Sequence, residues 1–556
     1  MQRHKIIILI LILALGIFFR FFRLTDVPLG LYPDEAMNGN NALEATATHD
    51  YKVFYPENNG REGFFINMQA VSLTLFAREP WVLRGVSAVM GSLTILGIFL
   101  LTRELFSQRG SKRKRSAAVT IALIAAFFLA ASYWHVNFSR MGFRAIMLPL
   151  TSTYALYFLL KGLRTKHIWT LVAAGIFTGI GFHSYIAFRF FPFIAAIPLI
   201  PELWRYYRSK KPPEQKQQNT FSPVSCSPCA VLLYLFITFI VALPIGVYFL
   251  QHPQDFIGRA NQVSIFATHA PVKTFIDSNI KTWGMFFVRG DCNPRHNYAC
   301  QPELIWPLAL FFAVGIIVTI RDLFKRTYER TSAPLFLFGW LIIMSLPATL
   351  TWEGLPHALR AIGMIPAVMI LSALGCWRLM RTFLDWFERQ KISFPEKIAQ
   401  LARIQKEIKV LFMALVLLLP IYTYRAYFIF WPNMPETYNA FATDMYHLGQ
   451  FLRDKPQSAT AYVVTNANGV NVRSIPMPAQ TVMFVTDTFR ENERAAKNIF
   501  YLRTDQLDQI RVGKGQHVMI SFLDSSDSPT VSGLRKKFPE FKVKAPSDFV
   551  VLENYY

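Results

Sequence analysis

Charged residues and cysteines are both scarce in this chain. Of its 556 residues, 17% are charged and 5 are cysteines. An ordinary soluble domain carries about a quarter charged residues, and a disulfide-rich secreted scaffold needs more cysteines for its size. The composition therefore excludes both of these classes of protein.

The sequence also lacks the motifs of several common binding sites. Residues 433–556 have no glycine-rich loop of the kind that cradles phosphates, and the chain has no motif that combines basic and aromatic residues for stacking on nucleic acid. In a soluble protein, the formal net charge of +23 would suggest a nucleic-acid partner. Here the basic residues lie mainly in short loops between apolar runs, so we expect membrane lipids, and no nucleic acid, as partners.

Hydrophobic residues are abundant, at 53% of the chain with 50 phenylalanines. Eleven apolar runs have a length suited to crossing a bilayer as α-helices. The first run has no small-residue cleavage site behind it, so it predicts a retained anchor rather than a signal peptide. The runs cover residues 6–22, 82–101, 117–134, 145–160, 168–182, 190–204, 230–250, 304–320, 335–350, 361–377 and 410–428.

The distribution of lysine and arginine predicts the orientation of these spans. Alternate loops are basic, namely residues 102–116, 161–167, 205–225, 321–330 and 378–409. Because basic loops stay on the cytoplasmic side, the N-terminus is expected in the cytoplasm. Eleven crossings then place the C-terminus outside. The sequence predicts a multi-pass protein of the cell membrane, with long outer loops at residues 23–80 and 251–303.

Residues 433–556 differ in character from the predicted membrane domain, residues 1–432. Short β-rich runs at 459–465, 481–486, 517–523 and 549–552 alternate with helix-like stretches at 435–453, 489–500 and 529–538. Strands that alternate with helices indicate a small α/β domain. We expect this domain to lie outside the membrane in an accessory role.

Two adjacent carboxylates, Asp34 and Glu35, follow the first span and are the predicted catalytic residues. Ionisable groups at the edge of a bilayer are costly and therefore candidates for function, although acids also occur in the first turn of any helix. The predicted outer turns add a set of polar residues on the same face of the membrane. These candidate substrate-binding residues are Arg61, Glu62, Arg140, Arg144, His183, Tyr185, Arg189, Arg295, His296, Glu353, His357 and Arg360.

Carboxylates and cations in one layer suit a particular kind of reaction. A carboxylate takes a proton from an acceptor, and cations hold a leaving phosphate and stabilise its charge. The alternatives remain open for individual residues: Arg140 and Arg144 can extend to the interface without a catalytic role, and Glu353 can be a solvated loop residue. The His357 and Arg360 pair favours phosphate binding, because Pro356 marks a helix start, where anions bind.

No cofactor is required by this arrangement. The carboxylates Asp34, Glu35 and Glu353 are oxygen ligands suited to Mg or Mn, but the first loop has no Asp-x-Asp pair, which favours a site without metal. Cys292 and Cys300 are expected to form a disulfide in an outer loop. Cys226 and Cys229 are expected to be free thiols on the cytoplasmic side.

With these motifs, the chain resembles the GT-C superfamily of integral membrane glycosyltransferases, particularly the branch of protein O-mannosyltransferases and aminoarabinose transferases. The matching stretches are Tyr32–Ala36 (YPDEA), Arg84–Ala88 (RGVSA), Phe138–Arg144 (FSRMGFR) and Pro356–Gly363 (PHALRAIG).

The resemblance implies a polytopic helical fold of about eleven spans, a polyprenyl-phosphate-sugar donor and an extracytoplasmic acceptor, which is a lipid, a glycan or a protein. It implies that Asp34 is the general base of an inverting transfer, with Glu35 beside it. Residues 58–66 (NNGREGFFI) depart from the branch, which usually has a Pro-Pro stretch there.

A transporter or flippase for lipid-linked saccharides is the alternative function. Transporters commonly contain internal repeats with paired broken helices, and the sequence has no convincing repeat. Its polar groups also concentrate at one face of the membrane instead of following a path through it. Both observations favour the enzyme.

Overall fold

The computed structural model describes residues 2–107, 112–208, 226–324 and 328–554. Parts of three predicted cytoplasmic loops, at 108–111, 209–225 and 325–327, lie outside the described residues. The chain forms two compact units. The membrane unit contains Met1–Phe22, Ser87–Arg140 and Arg144–Ile429, and the mixed unit contains Arg23–Val86, Met141–Phe143 and Phe430–Tyr556. The predicted division at residue 432 placed the first outer loop in the membrane domain. In the structure, that loop belongs to the same unit as the C-terminal residues.

Long apolar helices build the membrane unit and confirm the predicted polytopic α-helical class. A helix covers most of each of the eleven predicted spans in the described part of the chain, and six candidate spans satisfy both length and composition for crossing a membrane. The number of crossings stays a prediction. The helices are Arg3–Phe21, Pro80–Phe106, Lys112–Ala131, Met147–Thr165, Ile168–Phe182, Phe191–Arg208, Ser227–Gln251, Leu308–Phe324, Tyr328–Thr349, Ile365–Ser393 and Ile398–Arg425.

Short helices occupy the turns of this unit. The predicted outer loop 251–303 contains Pro253–Val263 and Pro271–Gly284, and Tyr133–Phe138 follows the third long helix. The second half of the loop, from residue 285, is irregular and is closed by the Cys292–Cys300 disulfide. The predicted disulfide is thus confirmed. The prediction of free thiols at Cys226 and Cys229 is wrong, because these residues are also bonded to each other.

The mixed unit combines two helices of the first outer loop with a C-terminal sheet. The helices Pro33–Thr48 and Gly63–Leu75 flank a hairpin of Phe54–Tyr55 and Arg61–Glu62. The five-stranded sheet has the order Ile499–Leu502, Thr460–Val464, Val518–Phe522, Val551–Glu553, Lys542–Lys544. Its first three strands are parallel and its last two pair antiparallel. The helices around it are Pro435–Ala440, Thr443–Arg453, Ala479–Thr486, Glu491–Lys497 and Ser528–Lys537.

One predicted element of the C-terminal region is wrong, and another has different bounds. The run 481–486 is helical, as part of Ala479–Thr486, and every residue of that helix is buried. A short run that is apolar on all sides fits a buried strand or a buried helix equally well, so periodicity does not distinguish them. The predicted helix 489–500 ends at Lys497, where Asn498 has a left-handed backbone, and the chain continues into the strand Ile499–Leu502.

Candidate active site

The helix Pro33–Thr48 presents the two predicted catalytic carboxylates in its first turn. Pro33 occupies the first helical position, where a missing N–H costs nothing. The N-terminal end of the helix dipole favours the negative charges of Asp34 and Glu35. These adjacent side chains differ in environment, since Asp34 is half-buried and Glu35 is completely buried.

Glu35 is held by a complete set of partners within the mixed unit. Arg84 approaches it with two nitrogens, Nε at 3.0 Å from Oε1 and Nη2 at 3.1 Å from Oε2. The backbone N–H of Gly142 also donates to Oε1, at 2.6 Å. Arg84 donates further to the carbonyls of Pro28 and Gly30. A carboxylate bound in this way fixes the chain around it, which favours a positioning role for Glu35 over proton transfer.

Asp34 makes a lighter set of contacts. Its Oδ1 accepts a hydrogen bond from Nδ2 of Asn58, at 2.8 Å. Asn58 lies in the turn of the hairpin between Phe54–Tyr55 and Arg61–Glu62. The more accessible of the two acids is therefore the one suited to exchange a proton with a substrate.

Arg61 and Glu62 are both buried in the same unit. Arg61 donates to the side-chain oxygens of Asn38, at 2.8 Å, and Asn41, at 2.6 Å. These asparagines lie on the helix that begins with Pro33, so Arg61 ties the hairpin to that helix. This contact positions the surroundings of Asp34.

A second cluster lies in the membrane unit and contains two predicted residues, His296 and His357. Their ring centroids are 4.9 Å apart. Asp291, which was not predicted, lies between the two turns that carry them: its Oδ2 is 2.8 Å from His296 Nδ1 and accepts the Ala358 N–H at 2.8 Å. Its Oδ1 accepts the N–H of Asn293. The Asp291 carboxylate thus joins the disulfide-closed loop to the Pro356–Gly363 motif.

The same cluster is a candidate metal site. Asp291, His296 and His357 each offer one ligand atom, and these atoms lie within 4.8 Å of one another. Two imidazoles and a carboxylate suit a first-row transition metal better than Mg. The group includes none of Asp34, Glu35 and Glu353, from which the sequence predicted Mg or Mn binding. Since Asp291 accepts hydrogen bonds on both oxygens, the cluster is also satisfied as a hydrogen-bonded network.

Glu303, which the sequence did not predict as a site residue, contacts this network through Asp291. It is buried, and its Oε1 accepts the N–H of Asp291 at 3.2 Å. Its Oε2 has no hydrogen-bond partner among the described residues. Burial, together with the nearby Asp291 charge, raises the pKa of the Glu303 carboxyl well above its ordinary value. This shift favours the protonated form of the Glu303 carboxyl.

Arg360 and Glu353 lie together in the turn that precedes the helix Ile365–Ser393. Nη2 of Arg360 is 3.6 Å from Oε2 of Glu353, and Nη1 donates to the Glu353 carbonyl at 2.7 Å and to Thr351 Oγ1 at 2.9 Å. The N–H of Arg360 donates weakly to Nδ1 of His357, at 3.4 Å. In this turn, the backbone N–H of Arg360 thus contacts the side chain of His357.

The remaining predicted residues are spread over other parts of the membrane unit. Arg140 is buried, caps the helix Arg3–Phe21 through the carbonyls of Phe19 and Arg20, and lies over the rings of Tyr427 and Phe428. Arg144 lies over the ring of Tyr185, and Arg189 lies over the ring of Phe256 and donates to its carbonyl. His183 Nε2 is 2.9 Å from the Val241 carbonyl. The carbonyl of Arg295 accepts a hydrogen bond from the Asn137 side chain.

Three residues that organise these clusters were not predicted as site residues: Arg84, Asn58 and Asp291. Weak signals existed for each of them. Arg84 opens the RGVSA stretch, Asn58 begins the stretch that departs from the family pattern, and Asp291 precedes a disulfide cysteine. None of these signals shows which distant residue the side chain contacts.

Comparison with known proteins agrees with this architecture. Residues 64–213 match the family model of dolichyl-phosphate-mannose-protein mannosyltransferases. No curated protein matches the chain. Among solved structures, the chain is similar to ArnT from Cupriavidus metallidurans in the apo state, with 13% identity and a TM-score of 0.58 over 98% of this chain and 97% of ArnT.

The same ArnT bound to undecaprenyl phosphate gives 14% identity and a TM-score of 0.56, over 98% of both chains. At this level of identity the likeness establishes the fold. The chain therefore shares its fold with ArnT, and residues 64–213 match the mannosyltransferase family model, in agreement with the predicted resemblance.

Proposed function

We propose that this protein transfers a sugar from a polyprenyl-phosphate donor to an extracytoplasmic acceptor, with inversion at the sugar. The contrast between two adjacent acids carries the proposal. Glu35 is buried and bonded to Arg84 and Gly142, whereas Asp34 is half-buried and has one amide partner. Of the two, Asp34 is the group that can take a proton from a substrate.

The chemistry assigns one role to each part. An acceptor oxygen or nitrogen attacks the anomeric carbon of the sugar and gives its proton to Asp34. The bond between that carbon and the phosphate oxygen breaks, and the polyprenyl phosphate leaves with the electron pair. Cations stabilise the charge that develops on the phosphate.

The candidates for contact with the phosphate are Arg360, Arg144 and the His296–His357 pair. The likeness to an ArnT solved with undecaprenyl phosphate supports a lipid phosphate as the donor group. Arg140 and Glu35 are assigned to positioning, because their contacts fix other parts of the chain. The remaining candidate substrate contacts are His183, Tyr185, Arg189, Arg295, Arg61, Glu62 and Glu353.

The Asp291, His296 and His357 group fits a first-row transition metal by its donor types. A bound metal would supply a Lewis acid for the phosphate oxygens. In either case Asp291 orients the His296 ring, since a histidine whose Nδ1 bonds a carboxylate presents Nε2 to its surroundings.

The test is transfer of a labelled sugar from polyprenyl phosphate by the purified full-length protein, with membrane lipids and peptides offered as acceptors. We expect a labelled acceptor and released polyprenyl phosphate. Asp34→Asn should reduce turnover by at least about a hundredfold, the lower range for a general base. Asp50→Asn is the matched control, because Asp50 is an exposed acid of the same unit.

Equal turnover in the Asp34→Asn and Asp50→Asn proteins would contradict the role of Asp34. Movement of the lipid-linked sugar across vesicles without a covalent product would replace the enzyme with the flippase alternative.

A further inference from the structure

The turn that carries Asn58 has an unusual backbone. Residues 56–60 join two strands in which Tyr55 pairs with Arg61. Asn58, Asn59 and Gly60 have φ angles of 52°, 62° and 80°, so three consecutive residues lie in the left-handed region. Most side chains adopt this region at a cost, and glycine and asparagine tolerate it best. The Asn-Asn-Gly sequence is therefore suited to this turn.

The turn directs one side chain to the proposed general base. Nδ2 of Asn58 donates to Oδ1 of Asp34 at 2.8 Å. The donor can be only the NH₂ group, because an ionised carboxylate accepts hydrogen bonds and does not donate them. The bond fixes the rotation of the carboxylate and leaves Oδ2 as the oxygen for a substrate proton.

Glu57 anchors the turn from two directions within the mixed unit. Its Oε1 accepts from Nε of Arg473 at 2.8 Å, and its Oε2 accepts from Nδ2 of Asn41 at 3.2 Å. Its carbonyl accepts the Gly60 N–H and Nε of Arg61, each at 3.3 Å. Asn58 is thereby held next to Asp34 before any substrate arrives.

We propose that Asn58 is a positioning residue for the Asp34 carboxylate. The inference rests on the proposed function, because it assigns Asn58 a part in the same proton transfer. It also gives a role to residues 58–66, where the sequence departs from the Pro-Pro stretch expected from the resemblance.

The test compares Asn58→Gly with Asn59→Gly in the labelled-sugar assay. Both variants keep a residue that accepts the left-handed backbone. Both also increase the backbone freedom of the unfolded chain to the same extent. Only the first removes the donor to Asp34, since the Asn59 side chain makes no hydrogen bond among the described residues. We expect kcat to fall about tenfold in Asn58→Gly relative to Asn59→Gly, with KM for the donor unchanged.

Asn58→Asp provides a second variant that keeps the size and the backbone preference of the residue. It removes the donor and places a negative charge beside Asp34, so kcat should fall below that of Asn58→Gly. Equal kcat values in Asn58→Gly and Asn59→Gly would overturn the inference. A lower kcat together with a higher donor KM and a lower thermal unfolding midpoint would also overturn the inference, because that result indicates a structural role.

The outcome is separable from that of the proposed function. A wild-type protein without transfer activity, or an Asp34→Asn protein with normal turnover, contradicts the proposed function itself. Normal wild-type activity and an inactive Asp34→Asn protein, combined with an unaffected Asn58→Gly protein, contradict the role of Asn58 alone.

Discussion

At the scale of single residues, Asp34 and Glu35 show that two adjacent carboxylates can have different environments. The Glu35 carboxylate is buried with the Arg84 guanidinium in a bidentate pair, so removal of its charge leaves an uncompensated buried cation. We expect Glu35→Gln to lower the free energy of unfolding by about 3–5 kcal/mol. Thermal or denaturant unfolding measures this loss.

Glu436→Gln is the control for that measurement, since Glu436 is an exposed glutamate of the same unit. Asp34→Asn should leave stability near that of the control while turnover falls. An equally stable Glu35→Gln protein would show that the Arg84 pair does not hold the mixed unit together.

Glu303 gives a residue-scale prediction about pH. Burial raises its pKa in the folded protein, so the folded state retains the proton after the unfolded chain has lost it near 4.5. This contribution to stability is fully present below that pH and is lost as pH rises through the folded pKa. Between pH 4.5 and the higher folded pKa, the stability of Glu303→Gln should therefore depend less on pH than that of the wild type, whereas exposed Glu396→Gln should match the wild type.

At the scale of elements, the helix Pro33–Thr48 packs closely against the helix Ala479–Thr486. A Cβ added at Gly39 would lie 2.5 Å from Cε2 of Phe484 and 2.9 Å from a methyl of Leu83. Gly39→Ala should therefore destabilise the protein by about 1–3 kcal/mol, as overpacking does in other cores. Gly85→Ala makes the same chemical change in a helix with no atom within 4 Å, and should be neutral or slightly stabilising in the same unfolding experiment.

The elements also show how far the sequence predicts this protein. Helical spans of the membrane unit follow from the length of their apolar runs, and the Cys292–Cys300 bond follows from the predicted outer loop. The strands at 460–464 and 518–522 lie within predicted β-rich runs. The helix Ala479–Thr486 was missed because a run buried on every side has no amphipathic period.

For the candidate site, the sequence predicted the two acids and the histidine pair but not the groups that contact them. Asp291, Arg84 and Asn58 bond residues that are distant in the sequence. Such contacts depend on tertiary packing, which local patterns do not encode.

At the scale of the whole molecule, the charge of the loops predicts the orientation of both ends. The native cysteines give little background for labelling, because four form disulfides and Cys376 is buried. In sealed vesicles of known orientation, a membrane-impermeant maleimide should label Ser526→Cys from the extracytoplasmic side. It should label Thr165→Cys from the cytoplasmic side. Both positions are exposed, and the opposite pattern would invert the predicted topology.

The mixed unit is assembled from three separated segments of the chain, which has a consequence for its synthesis. Asn40 bonds Gln480 across 440 residues of sequence, and Thr481 bonds the carbonyl of Leu31 across 450. The helix Pro33–Thr48 is therefore synthesised about 440 residues before the residues that it packs against. A chain that ends before Ala479 therefore lacks the partners of the helix that carries Asp34 and Glu35, and we expect it to have no turnover in the labelled-sugar assay.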